Sequence, residues 1–314
     1  MFYTGISASK VFGMLGLLLS VRDRGMSDYG HLSRQATLAS IVVAIILIVA
    51  KTWAYWSTGS VSLLGSLLDS LLDGMTSFMN FVALRFALVP ADEDHKFGHG
   101  KLESIAALAQ SAFMIGSAVV LVLNSFDVMI DKRQVVNTHI GIYVSVLAIV
   151  LTVALVLFQK SVMRKTRSLI VEADSLHYQG DILMNGAVLL AMVLAGIGIF
   201  WADSVMALGI GAFLCVNAWR VGAKAFEDLM DRQLPDVEQR IYELVSGAQG
   251  SEGCHDVRCR QSGPNMFIQF HLELDENLAL WSAHEIGDRI EKQIIKEYPY
   301  ADVLIHHDPT KAAP

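Results

Sequence analysis

The chain has 314 residues, 53% of them hydrophobic and 18% charged, with a mean hydropathy of +0.45. Soluble domains rarely combine so little charge with so much apolar character, so a membrane setting is indicated. A formal net charge of -7 and a pI near 5.8, with no basic stripe interleaved with aromatic residues, exclude nucleic-acid binding.

The apolar character is concentrated before about residue 223, and the remainder has the charge pattern of an ordinary soluble domain, so two domains are expected. At the start, Val11 to Leu19 is apolar but too short to span a bilayer, and Arg22 and Arg24 follow it, the reverse of a secretory signal. Met26 opens the polar run Ser27-Asp28-Tyr29-Gly30, which reads as a natural amino terminus. Residues 1–25 are therefore expected to be an over-extended start within a cytosolic segment 1–35, a short interfacial helix being the alternative.

Crossing about 30 Å of hydrocarbon takes roughly 20 residues. Six stretches are long enough, at 36–57, 62–88, 102–126, 138–159, 171–198 and 202–223. Arg22, Arg24 and Arg34 precede the first, Lys160, Arg164, Lys165 and Arg167 separate the fourth from the fifth, and Arg220 and Lys224 follow the sixth. The other turns are Ser57-Thr58-Gly59-Ser60, a mixed segment at Asp131-Lys132-Arg133, and the corner Trp201-Ala202-Asp203. Positive-inside asymmetry then places both termini in the cytosol.

The second and fifth spans carry charges that need a reason. Asp69 and Asp73 stand four apart in one, His177 and Asp181 in the other, so each pair lies on one helix face. Together they offer three carboxylates and one imidazole, enough to close a tetrahedral divalent-metal site between two helices. A structural ion pair is the plainer explanation, but Lys51, the only basic residue deep in the early spans, cannot neutralise three acids. Protons or a metal must occupy the cluster, and they compete for the same groups because only deprotonated ligands bind metal.

After the second span, Asp92, His95 and His99 have a spacing that can bring three ligands round one ion, with Gly98 and Gly100 allowing a tight fold. A solvated acidic turn is the alternative. Beyond a linker at 224–235, the stretch 236–309 reads helix, strand, strand, helix, strand, a small α+β domain followed by a short tail at 310–314. Within it, Ile268, Phe270, Leu272 and Leu274 alternate with Gln269, His271 and Glu273, giving one apolar and one wet face. His255, His284, His306, His307 and Asp308 join His271 from neighbouring elements, which points to a second metal site. Cys215, Cys254 and Cys259 match no zinc-ribbon spacing and read as free thiols.

These motifs resemble the cation diffusion facilitator family, in particular its bacterial zinc and ferrous-iron efflux members. The resemblance covers nearly everything after Met26 and rests on Asp69-x-x-x-Asp73, Asp92-x-x-His95-x-x-x-His99-Gly100-Lys101, Glu172-Ala173-Asp174-Ser175-Leu176-His177-x-x-x-Asp181, Gln261-Ser262-Gly263-Pro264 and Ile305-His306-x-Asp308-Pro309. It implies a homodimer in the bacterial inner membrane, each protomer having six transmembrane helices and a C-terminal cytosolic α+β ferredoxin-like domain, exchanging a divalent metal for protons by alternating access. It also implies a transport site of Asp69, Asp73, His177 and Asp181, and a loop site of Asp92, His95 and His99. A binuclear cytosolic site of His255, His271, His284, His306 and Asp308 follows by the same resemblance, as does a charge interlock of Lys101 with Asp231. His307 stands where many relatives carry a non-ligand residue, and the N-terminal extension inherits nothing.

Four-coordinate nitrogen and oxygen sites suit Zn²⁺, which ranks above Fe²⁺ in affinity. Three carboxylates make the site hard enough to admit Fe²⁺ as well, Cd²⁺ should follow Zn²⁺, and Mg²⁺, which dehydrates reluctantly, should be inert. The cytosolic ions have a structural or regulatory role. Two other classes are a passive divalent-cation channel and a membrane-bound metal sensor. An intramembrane metalloprotease is excluded, since His284-Glu285-Ile286-Gly287-Asp288 lacks the second histidine of the zinc-protease motif and lies in the soluble part.

Overall fold

A computed structural model describes residues 28–58, 61–130, 139–196 and 202–310. The expectations for residues 1–25, the Asp131-Lys132-Arg133 segment and Trp201 at the short corner lie outside these. Six long helices come first: α1 (Asp28–Thr58), α2 (Val61–Ala87), α3 (Lys101–Ile130), α4 (His139–Thr166), α5 (Leu169–Gly196) and α6 (Ala202–Leu229). At 1.5 Å per residue each is roughly 40 Å or longer, enough to cross the hydrocarbon with polar ends to spare.

Each helix contains or closely matches its expected span, and several run past it. The first begins at Asp28 rather than 36, and the fourth and sixth continue to Thr166 and Leu229 rather than 159 and 223. Hydropathy marks only the apolar slab, whereas helical hydrogen bonding carries on into the polar ends. Among the described residues, apolar stretches long enough to cross a membrane occupy 28–57, 101–123, 143–166 and 205–229, in α1, α3, α4 and α6. The remaining two helices are of spanning length but bear the acids: Asp69 and Asp73 in α2, and Glu172, Asp174 and Asp181 in α5.

Packing gives α5 a central place. Helix α3 lies along α6, α1 lies along α2 and α4, and α5 touches members of both groups. Small residues permit the close approach beside the acids. A Cβ at Gly180 would come within 2.8 Å of Leu214 on α6, next to Asp181.

The remainder is an α+β domain with α7 (Pro235–Ser246), β1 (Gly253–Ser262), β2 (Asn265–Leu274), α8 (Leu280–Glu297) and β3 (Ala301–Pro309). Strand order is β1-β2-β3, with β1 antiparallel and β3 parallel to the central β2. Parallel neighbours need a crossover, and α8 supplies it. Ile241 and Val245 of α7 and Ile286, Ile290 and Ile294 of α8 cover Ile268, Phe270 and Leu272 of β2. Burying each such side chain is worth about 1.5–3 kcal/mol, which makes this layer the core of the domain. The opposite face of β2 carries Gln269, His271 and Glu273, as its alternation requires.

Candidate metal centres

Asp73 lies near the middle of α2, and His177 and Asp181 lie one turn apart on α5. The helix crossing brings His177 Nε2 to 2.9 Å from Asp73 Oδ1 and 3.9 Å from Asp181 Oδ2. Ligand atoms from these three residues all fall within 4.8 Å of one another, a spread that one divalent ion can draw together. Asp69 shares the α2 face one turn away but stands outside this group and is exposed. The structure thus assembles three of the four expected ligands and leaves the fourth at the rim.

Several contacts fix the two helices beside the cluster. The Tyr178 hydroxyl lies 2.8 Å from Ser77 Oγ, tying α5 to α2 one turn beyond Asp73. Lys51 of α1 donates to the Ser66 carbonyl at 3.0 Å and to Ser70 Oγ at 2.6 Å.

Sequence reasoning passed over a fully buried acid on α5. Asp174, only 1% exposed, accepts hydrogen bonds from Ser40 Oγ (2.6 Å), Gln159 Nε2 (2.8 Å) and Asn80 Nδ2 (3.0 Å), while Asn80 also donates to Gln110 Oε1 (2.9 Å). One carboxylate therefore joins α1, α2 and α4 to α5, with α3 attached through Gln110. Glu103 does similar work at the end of the bundle where α1, α3 and α5 begin, accepting from Tyr29 of α1 and from Ser168 just before α5. The signal was available, because a charge in an apolar helix demands partners wherever it occurs.

The loop between α2 and α3 holds the second group. Asp92 Oδ1 accepts from the backbone N–H groups of His95 (2.6 Å) and Asp94 (3.0 Å), which closes the turn. His95 Nδ1 stands 3.4 Å from Asp92 Oδ1, His99 Nε2 3.5 Å from Asp92 Oδ2, and the two rings are 4.4 Å apart. The backbone hydrogen bond from His95, with both histidines nearby, holds the Asp92 carboxyl below its ordinary range, ready to ligate. His99 Nδ1, the ring nitrogen away from Asp92, is buried without a hydrogen-bond partner among the described residues. Gly98 adopts φ +76°, and a Cβ at Gly100 would come within 2.2 Å of the Ser262 carbonyl, so this loop closes directly on the β1–β2 hairpin.

On the wet face of the sheet, Asp308 is the centre. Its Oδ2 lies 2.7 Å from His271 Nδ1 and 3.5 Å from His255 Nε2, and its Oδ1 lies 3.1 Å from His306 Nε2. The hydrogen bond with His271, with the charges of His306, His271 and His255, holds the Asp308 carboxyl low. His284 stands apart on α8, 3.7 Å from Asp288. Glu273, 2.9 Å from His255 Nδ1, was not among the expected ligands although its alternation places it on the same face. His307 sits against Gly287, where a Cβ would meet its Nε2 at 2.6 Å, away from the Asp308 group. Cys254 and Cys259 are free, and burial pushes both thiols up to about 11, so thiolate ligation is disfavoured.

Lys101, at the start of α3, meets Asp231, in the turn after α6. Lys101 Nζ stands 2.7 Å from Asp231 Oδ1 and also donates to the Asp228 carbonyl. Arg260 of β1 adds a second cation 3.2 Å from Asp231, with its guanidinium over the rings of Phe267 (4.6 Å) and Phe97 (5.2 Å). Burial opposes the charge on Asp231, but hydrogen bonds from Lys101 and Arg260 outweigh it and depress the carboxyl's pKa.

A family profile described as the cation efflux transmembrane domain matches residues 37–230, and one described as the cation efflux protein cytoplasmic domain matches 234–310. A cation-efflux pump, FieF, of Cronobacter sakazakii is 48% identical over 288 residues, spanning 91% of this chain and 96% of that protein. Its namesake in Yersinia enterocolitica is 47% identical over 288 residues, with the same coverage of 91% and 96%. Among solved structures, the metal-bound C-terminal domain of the CzcD transporter from Thermotoga maritima is 27% identical, covers 26% of this chain and 94% of that chain, and has a TM-score of 0.24.

Proposed function

The chain belongs to the cation efflux family of multi-pass membrane transporters, and from that premise we propose that it exports Zn²⁺ from the cytosol across the bacterial inner membrane in exchange for protons. Fe²⁺ and Cd²⁺ are secondary substrates. The observation that carries this reading is the approach of His177 Nε2 to within 2.9 Å of Asp73 Oδ1, with Asp181 beside them, in the middle of two spanning helices. Divalent-metal ligands at that depth have no structural purpose that a neutral network would not serve better.

In this reading the cytosolic loop captures metal at Asp92, His95 and His99 and passes it inward. Asp73, His177 and Asp181 grip it, and Asp69 draws it in from the rim. Ligation requires a neutral imidazole and ionised carboxylates, so a proton arriving at any of them loosens the ion. Without metal, the imidazolium form of His177 donates to Asp73 at the distance observed, so the same contact serves the protonated state. The cytosolic domain (236–309), joined to α6 through residues 230–234, holds further metal at His255, His271 and Asp308, with His306 beside Asp308 and His284 apart on α8. That domain pairs two protomers, and both termini face the cytosol.

Zn²⁺ flux into proteoliposomes under an imposed pH gradient, wild type beside Asp73→Ala, tests the proposal. Gradient-driven flux that disappears in the variant supports it. Flux of equal size with and without the gradient would replace it with a passive channel.

A further inference from the structure

Lys51 is a deep charge that the transport reading leaves without a task. It is 7% exposed, lies on α1 seven residues before Thr58, and reaches α2 at Ser66 and Ser70, so it sits roughly 10–14 Å inside the end at which α1 and α2 join. Asp69 lies at about that level on α2, and Asp73 one turn deeper. Among the described residues its hydrogen bonds go to neutral acceptors, the Ser66 carbonyl and Ser70 Oγ, and not to the carboxylates. The ammonium is thus held beside the cage without blocking its oxygens, within Coulomb reach of Asp73, Asp181 and Asp69.

We propose that Lys51 is a fixed counter-cation of the transport cage, which selects for divalent cargo and keeps binding weak enough for release. The inference rests on the transport reading above. Three carboxylates and one ammonium sum to two negative charges when His177 is neutral. A divalent ion brings the site to neutrality, whereas a monovalent ion leaves one negative charge and a trivalent ion one positive charge. In a low-dielectric interior such a residual charge is disfavoured, so the tally discriminates by valence before geometry discriminates by element. The same ammonium repels the cargo, and a transporter that must let go of its ion gains from that repulsion.

A lysine that only braced α1 against α2 would, on removal, loosen the cage and weaken metal binding. A counter-cation predicts the reverse. Zn²⁺ titration by calorimetry on the purified full chain at about pH 8, where proton competition is small, separates the two. The cage component is identified as the part of the isotherm lost in Asp73→Ala. Lys51→Met is expected to tighten that component by at least about tenfold, and in flux assays to lower KM and kcat together. Ser70→Asp, which neutralises the ammonium in place while keeping the lysine, is expected to tighten it as well and serves if Lys51→Met does not fold. Unchanged or weaker cage binding in these variants overturns the inference. An isotherm that Asp73→Ala leaves intact would instead overturn the transport reading itself.

Discussion

Asp73 on α2 and His177 on α5 stand 104 residues apart in sequence, yet their side chains meet at 2.9 Å. No other expected ligand of the cage is held so firmly across the two helices. Asp181 is one helical turn from His177 and would follow it in any fold, whereas Asp73 is present only because α2 and α5 cross at this level.

That asymmetry ranks the cage residues. Asp73→Ala removes the cross-helix ligand and should abolish Zn²⁺ flux. Asp69→Ala removes a carboxylate at the rim and should mainly raise KM, by about tenfold, with kcat largely retained, as loss of capture without loss of the cage would. Side-by-side flux measurements over a range of Zn²⁺ concentrations distinguish the two, and equal losses in both variants would mean that Asp69 swings in to become a full ligand.

Asp174 tests the bundle rather than the cargo. Its carboxylate accepts from Ser40, Gln159 and Asn80, and its removal takes one acceptor from each of these buried donors. Removing a buried hydrogen-bond partner typically costs about 1–3 kcal/mol, so Asp174→Ala should melt below wild type in detergent. Asp174→Asn keeps the shape and part of the acceptor capacity, and should lie between them. Thermal melts of the purified variants read this directly.

Gly100 probes domain docking. A Cβ there would enter the Ser262 carbonyl, and backbone cannot yield as a flexible side chain would. Gly100→Val should push the loop off the hairpin, costing about 1–3 kcal/mol, and raise protease cleavage of the connection at 230–234. Ser262→Gly would not relieve it, since the obstructing atoms belong to the main chain.

The sequence exposed the cage because hydrophobic helices make every acid conspicuous, and helical spacing turned four residues into two pairs. Alternation in 265–274 likewise separated the wet face from the core face by its period of two alone. What it could not tell was which of those ligands meet, since Asp69 and Asp73 share a face and differ only in level along α2. Nor could it show that His284 lies away from Asp308 while Glu273 lies against His255, because that depends on how α8 crosses the sheet. Arg260 escaped notice for a related reason: a lone arginine on a strand gains meaning only when the loop carrying Phe97 and the turn carrying Asp231 fold onto it.

Asp231 links these contacts to pH. Hydrogen bonds from Lys101 and Arg260 outweigh its burial and set its folded pKa below the unfolded value, which is about 3.9 for an aspartate. A carboxylate with a depressed folded pKa contributes stability that is present above the unfolded value and lost as pH falls through the folded one. The interlock should therefore be intact at neutral pH and through mild acid, and fail only as pH drops below about 4. Asp231→Asn removes the charge at every pH, so its linker should be as protease-sensitive at neutral pH as the wild type's becomes in strong acid. Hydrogen exchange along 88–100 and 224–235, followed across the acid range, measures both, and a wild-type transition centred near pH 6 would assign the coupling to a histidine instead.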